Sequence, residues 1–171
     1  QVGRYLELLG RRGEMDNTII IYASDHGEML GDHDLWMKSV PYHPSISVPL
    51  VICGPNVLQN VVSDALVLLH DLAATFLDYA SLAVPEAMDS MSLQPVLAGE
   101  QTTHRDIVFS ALLDWEAAYD GRFKFIQYED GKKLLFDLQE DPHETQNLVG
   151  QQPELCLQLA QAITDMKRSA T

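Results

Sequence analysis

Six consecutive residues, 18–23 (TIIIYA), constrain the fold of this chain most. The run is β-branched and shows no alternation of apolar and polar positions, the pattern of a strand covered on both faces in a parallel sheet. Asp16 and Asn17 turn the chain into it, and Ser24 ends it. A second apolar run, residues 48–53 (VPLVIC), closes at Gly54 and Pro55. Asp71 then opens a helix whose apolar stripe includes Leu72, Phe76 and Tyr79. Upstream, Tyr5, Leu6, Leu8 and Leu9 sit in an amphipathic helix over 3–12 that stops at Gly10 and Gly13. Arg11 and Arg12 fall in its last turn, where cations suit the helix dipole. Strand, long loop, strand and helix make an α/β pattern.

After residue 104 the signals become antiparallel, with strands expected over 107–112, 122–128 and 134–138. Asp130-Gly131 marks a tight turn between the last two, because glycine accepts the positive φ that such a turn requires. Pro153 suits the first turn of a final helix that aligns Leu155, Leu159, Ile163 and Met166 on one face. Residues 83–99, with Pro85 and Pro95, read as the connection between two parts, 1–103 and 104–171.

A length of 171 residues with 46% hydrophobic and 21% charged residues suits one core, or one core and a small appendage. Twenty-five acidic against 11 basic residues give a formal charge of -14, and no Lys/Arg cluster could track a phosphate backbone, so nucleic acid is excluded as a partner. No apolar run approaches the roughly 18 residues of a membrane span, and no targeting pattern is present. The first residues are in helix phase and lack an initial Met, which suggests a piece of a longer protein. Cys53 and Cys156 both lie in apolar contexts and are expected as buried free thiols.

The chemistry concentrates in residues 24–38 (SDHGEMLGDHDLWMK), directly after the first strand. In open α/β sheets ligands gather beyond the carboxyl ends of the strands, where Asp25 and His26 fall. Consecutive strand side chains point to opposite faces, so these two converge only if the backbone bends, and Gly27 permits a bend. A carboxylate beside an imidazole is half of a divalent-metal shell. Lys38, beyond the turn-prone Gly31-Asp32, could neutralise an oxygen of a tetrahedral sulfate or phosphate. Glu28, Asp32 and His33 are candidates to orient the ligands. Against this stands a plainer reading, in which Asp25 caps a turn, His26 makes a structural hydrogen bond and Lys38 is solvated. A zinc pair of the H-E-x-x-H type is excluded by spacing. His43, His70 and His104 stand alone in sequence and are expected to be structural. Cys53-Gly54-Pro55-Asn56-Val57 begins like a Cys-x-Pro-x-Arg nucleophile motif, but Val57 replaces the arginine, and Cys53 is assigned to packing.

Three blocks, residues 17–55 around SDHGEMLGDHDLWMK, 70–80 (HDLAATFLDYA) and 134–148 (LLFDLQEDPHETQNL), resemble the sulfatases of the alkaline phosphatase superfamily, in the family's order. The resemblance implies that residues 1–103 are the carboxyl-terminal part of the α/β catalytic domain, including a metal-site loop. It makes 104–171 a small antiparallel α+β subdomain. It implies that Asp25 and His26 bind a divalent cation, calcium in this family, and that Lys38 contacts the sulfate group and serves catalysis. His33, inside the same motif, is grouped with Lys38 on the substrate side. Asp34 and Met37 stand where glycines are common, and His43 and Ser47 replace a frequent Glu and Arg.

The formylglycine nucleophile of sulfatases arises from a Cys/Ser-x-Pro-x-Arg motif that these residues lack, so it is expected in an amino-terminal half, a partner of this chain. The implied substrate is a sulfate ester. A truncated sheet would expose edges through which the chain could self-associate. Two alternatives stand beside this reading: a phosphonate or phosphate ester hydrolase of the same superfamily, and a non-catalytic binding domain.

Overall fold

The computed structural model describes residues 1–169. Helix α1 (Val2–Arg12) runs through Gly10 and ends at Gly13, whose left-handed φ of 67° carries the chain out of the helix. None of its residues is buried. Strand β1 (Ile20–Ala23) follows and pairs with β2 (Leu50–Cys53) in a two-stranded sheet.

This pair corrects one expectation. The strands are antiparallel, with Ile20 opposite Cys53 and Ala23 opposite Leu50, and Tyr22 and Val51 are exposed rather than covered. The reason lies in the connection: the only α-helix between them is the single turn α2 (His43–Ile46), too little for the crossover that parallel neighbours need. Cys53 is likewise exposed and does not pack a core, whereas Cys156 is buried as expected.

Helix α3 (Asp71–Tyr79) buries Asp71, Ala74 and Thr75 and leaves Phe76 exposed, so its inner stripe is more polar than the expected Leu72, Phe76 and Tyr79 face. A short α4 (Gln94–Leu97) leads to a four-stranded antiparallel meander, β3 (Val108–Leu112), β4 (Trp115–Tyr119), β5 (Phe123–Tyr128) and β6 (Lys133–Asp137). Sequence reasoning missed β4, because Glu116, Ala117 and Ala118 favour helix and Leu113-Asp114 is not a recognisable hairpin turn. Leu112 nevertheless pairs with Trp115 across that turn, and Leu113 takes a positive φ of 54°. The β5–β6 turn forms as expected, with Gly131 at φ 89° donating its N–H to Tyr128 O at 3.0 Å.

Alternation along the meander builds two cores. Ala118, Phe125 and Leu135 face helix α5 (Pro153–Ser169), which supplies Cys156, Leu159 and Ile163. Trp115, Ala117, Ile126, Leu134 and Phe136 face the other way, against Tyr42 and Ile46. Each fully buried Leu, Ile or Phe contributes about 1.5–3 kcal/mol. The second core carries Tyr42 and Ile46 of residues 38–47, the segment that closes the loop beginning at Asp25. Among the described residues no helix is long and apolar enough to cross a membrane.

Candidate functional site

At the end of β1 the Ser24 hydroxyl donates to His26 O at 2.7 Å and folds the backbone back on itself. The turn brings Asp25 Oδ2 to 3.6 Å from His26 Nε2. His26 Nδ1 lies 2.6 Å from Gly27 O, which can only accept, so in the neutral ring Nδ1 carries the proton and Nε2 keeps its lone pair. That lone pair faces Lys38 Nζ at 2.5 Å. The three side chains predicted from sequence therefore meet. They line an open cavity of about 280 Å³ whose far wall is Ser110, Leu112 and Trp115 of the meander. The hydrogen bond from its own backbone N–H first, with the neighbouring His26 ring and N–H and the Lys38 ammonium, holds the Asp25 carboxyl below its ordinary range.

Gly27 is needed for a different reason from the one expected. Its N–H donates to Ser45 O at 2.8 Å, and the next N–H, of Glu28, donates to Pro44 O at 2.9 Å. A Cβ on Gly27 would lie 1.9 Å from Pro44 O, so the requirement is close backbone approach rather than positive φ. Gly27→Ala is expected to destabilise the chain by about 3 kcal/mol, since the obstacle is backbone that cannot turn aside. A urea melt of the variant within 0.5 kcal/mol or so of wild type would contradict this contact.

The loop between is strained and self-stitched. Leu30, His33, Asp34, Met37 and Ser39 all take positive φ, and at Asp34 (58°) and Met37 (72°) this is the physical content of the glycines common in sulfatases. Met29, 1% exposed, anchors the loop, with its N–H donating to Met37 O at 2.9 Å. His33 stacks on Tyr42, ring centroids 3.9 Å apart, and is not part of the cavity wall. Glu28 and Asp32 join the loop through backbone hydrogen bonds, to Pro44 O and Met29 O.

The donor set can be tested against a metal. An oxygen and an imidazole nitrogen 3.6 Å apart, the nitrogen already facing a cationic ammonium, fit two positions of a cation's shell. Among the described residues no group of three or more His, Cys, Asp or Glu side chains could hold a metal ion, so the pair is half a site.

Two buried charge clusters escaped sequence reasoning because their members are far apart in the chain. Asp71, 0% exposed, accepts from Leu68 N (2.9 Å), Met91 N (3.0 Å) and Arg105 Nε (3.1 Å), pairs with Arg105 Nη2, and meets His104 Nε2 at 3.2 Å. His104 is thus structural, as expected. Burial pushes the Asp71 carboxyl up, but Arg105 and the two backbone donors outweigh it and hold the carboxyl at about 2. A depressed acid stabilises the fold above its unfolded value near 3.8 and loses that contribution as pH falls through about 2. Between pH 5 and 2 the chain is expected to lose about 2 kcal/mol through this group, a loss absent from Asp71→Asn. Denaturant melts at the two pH values measure it; equal acid losses in both proteins would contradict it.

The second cluster joins Lys124 of β5 to Glu144, 1% and 2% exposed, in a buried ion pair. Glu144 belongs to the Asp-Pro-x-Glu block of the sequence. Its neighbours are structural too: Asp141 accepts from Gln146 N at 2.7 Å, and Asn147 Oδ1 accepts from Leu135 N at 3.0 Å.

The fold is that of the carboxyl-terminal region of a sulfatase of the alkaline phosphatase superfamily. Residues 31–169 match the family model described as N-sulphoglucosamine sulphohydrolase, C-terminal, and the chain belongs to that family. It is 33% identical to an arylsulfatase of Clostridium perfringens over 158 residues, covering 87% of this chain and 33% of the relative. It is 32% identical to an N-acetylglucosamine-6-O-sulfatase of Bacteroides thetaiotaomicron, covering 87% and 29%. A solved structure in complex with its substrate D-glucosamine-2-N,6-O-disulfate superposes with a TM-score of 0.92 at 29% identity, over 99% of this chain and 38% of that one. A phosphonate monoester hydrolase from Silicibacter pomeroyi gives 0.81 at 31% identity, over 98% and 37%. The chain spans about a third of the length of the curated relatives it matches.

Proposed function

We propose that this chain is the carboxyl-terminal part of a sulfuric ester hydrolase. Residues 1–103 end its α/β catalytic domain and 104–171 form its small subdomain. Asp25 and His26 supply two ligands to a divalent cation, calcium, and Lys38 contacts the sulfate group. The nucleophile is a formylglycine carried by an amino-terminal half. The convergence of Asp25 Oδ2, His26 Nε2 and Lys38 Nζ on one cavity carries this reading.

When bound, the cation supplies positive charge to the sulfate oxygens. The His26 lone pair cannot serve a metal and Lys38 at once, so with His26 holding a cation Lys38 would be free to meet the anionic ester. Lys38 there balances the charge that develops as the ester bond breaks. Gly27 O fixes the His26 tautomer that leaves Nε2 available. His33, stacked on Tyr42, would meet the substrate only beyond the cavity wall.

The purified chain alone is expected to release no sulfate from an aryl sulfate, while the longer protein turns it over in a calcium-dependent way. Release by the isolated chain, or a longer protein without sulfatase activity, would overturn the proposal. With two protein ligands the isolated chain should bind calcium weakly, most of the shell being left to water. A second reading, a phosphonate ester hydrolase, is favoured by the Silicibacter structural neighbour. Turnover of paired aryl sulfate and aryl phosphonate esters by the longer protein decides between them.

A further inference from the structure

Residues 38–47 carry Lys38 at one end and at the other hold the turn that follows His26. Three grips fix this segment. Trp115 Nε1 donates to Ser39 O at 3.1 Å. Pro44 O and Ser45 O accept from Glu28 N and Gly27 N. Between these, Lys124 Nζ donates to Pro41 O at 2.8 Å, and Glu144 Oε2 accepts from His43 N at 2.6 Å. The buried ion pair thus holds two backbone groups, two residues apart, from beneath the loop.

Stability alone does not account for charge here. A buried ion pair is commonly no more stable than apolar residues of similar volume, because desolvating both charges costs about what their attraction returns. An apolar pair could neither donate to Pro41 O nor accept from His43 N. The charges are thus suited to set the height and register of the loop. We propose that Lys124 and Glu144 are positioning residues, through which the carboxyl-terminal meander holds Lys38 against the Asp25–His26 turn. The inference rests on the sulfatase reading of that site.

The test uses the longer protein and the double variant Lys124→Met/Glu144→Leu, with Asp25→Ala as the site control. The double variant is expected to fold with a lowered thermal midpoint, since Pro41 O and His43 N lose their partners. Assayed well below that midpoint, it is expected to lose kcat on an aryl sulfate by about 10- to 100-fold with KM changed much less, since displacing a reacting group by about 1 Å costs that much. A folded double variant with wild-type kcat overturns the inference and reduces the pair to packing. Should the double variant not fold, Glu144→Gln and Glu144→Ala decide. Gln keeps an acceptor for His43 N–H, so its kcat should exceed that of Ala by at least about fivefold. Equal kcat values in these two overturns the inference. Full turnover by Asp25→Ala, in contrast, would remove the site reading itself, and the positioning role with it.

Discussion

Lys38→Ala in the longer protein is expected to lower kcat on a sulfate ester by about 10²–10³-fold, with a smaller change in KM. The amine lies 2.5 Å from His26 Nε2 and lines the same cavity as Asp25, which in the proposed site would put its charge beside an anionic ester. Its contribution grows as the bond breaks, which puts the loss in kcat. Asp25→Ala and His26→Ala should behave differently. In the proposed site each would remove a ligand, so each should raise the calcium concentration needed for half-maximal activity by about 10- to 100-fold or more. Activity in Asp25→Ala with an unchanged calcium requirement would remove it from the metal shell.

Arg105→Ala is expected to destabilise the chain by about 3–5 kcal/mol in urea. The substitution leaves Asp71 with 0% exposure and without its main counter-charge. It also strips a donor from Asp89 O, contacted at 3.1 Å. Breaking a buried pair from one side costs more than the pair itself contributes, because the orphaned carboxylate stays desolvated. The exposed pair Arg11–Glu7 on α1, with side chains 79% and 70% exposed, provides the contrast: Arg11→Ala should cost under about 0.5 kcal/mol. Similar losses in the two variants would show that the Asp71 cluster is not the buried hub described above.

The meeting of Asp25, His26 and Lys38 was legible in sequence because these residues lie within one short segment. Asp25 and His26 are adjacent, and the break at Ser24 forces the bend that lets them converge. The β5–β6 turn was legible through one glycine, and α5 through its period. Strand direction was not, because an unbroken apolar run speaks of burial and not of partner orientation, which the 24–49 connection, with α2 as its single helical turn, decides. Nor was β4, whose alanines prefer helix in isolation and become strand only by packing between β3 and β5. The buried charges were the least visible. His43 and Glu144 are 101 positions apart and Asp71 and Arg105 are 34 apart, so only the folded chain brings them together. Gly27 was read only as permitting a bend, because the close approach of Pro44 O that requires a glycine there lies in another segment.

The most direct test of the site uses manganese as a paramagnetic stand-in for calcium, titrated into the isotopically labelled chain and followed by NMR. Resonances of Asp25 and the His26 ring are expected to broaden first, followed by Lys38 and by Ser110 and Leu112 across the cavity. With a net charge of -14, scattered binding to surface carboxylates is the natural competitor. Broadening spread over the acidic surface, with the His26 ring no more affected than the rest, would contradict a shared cation site at the end of β1.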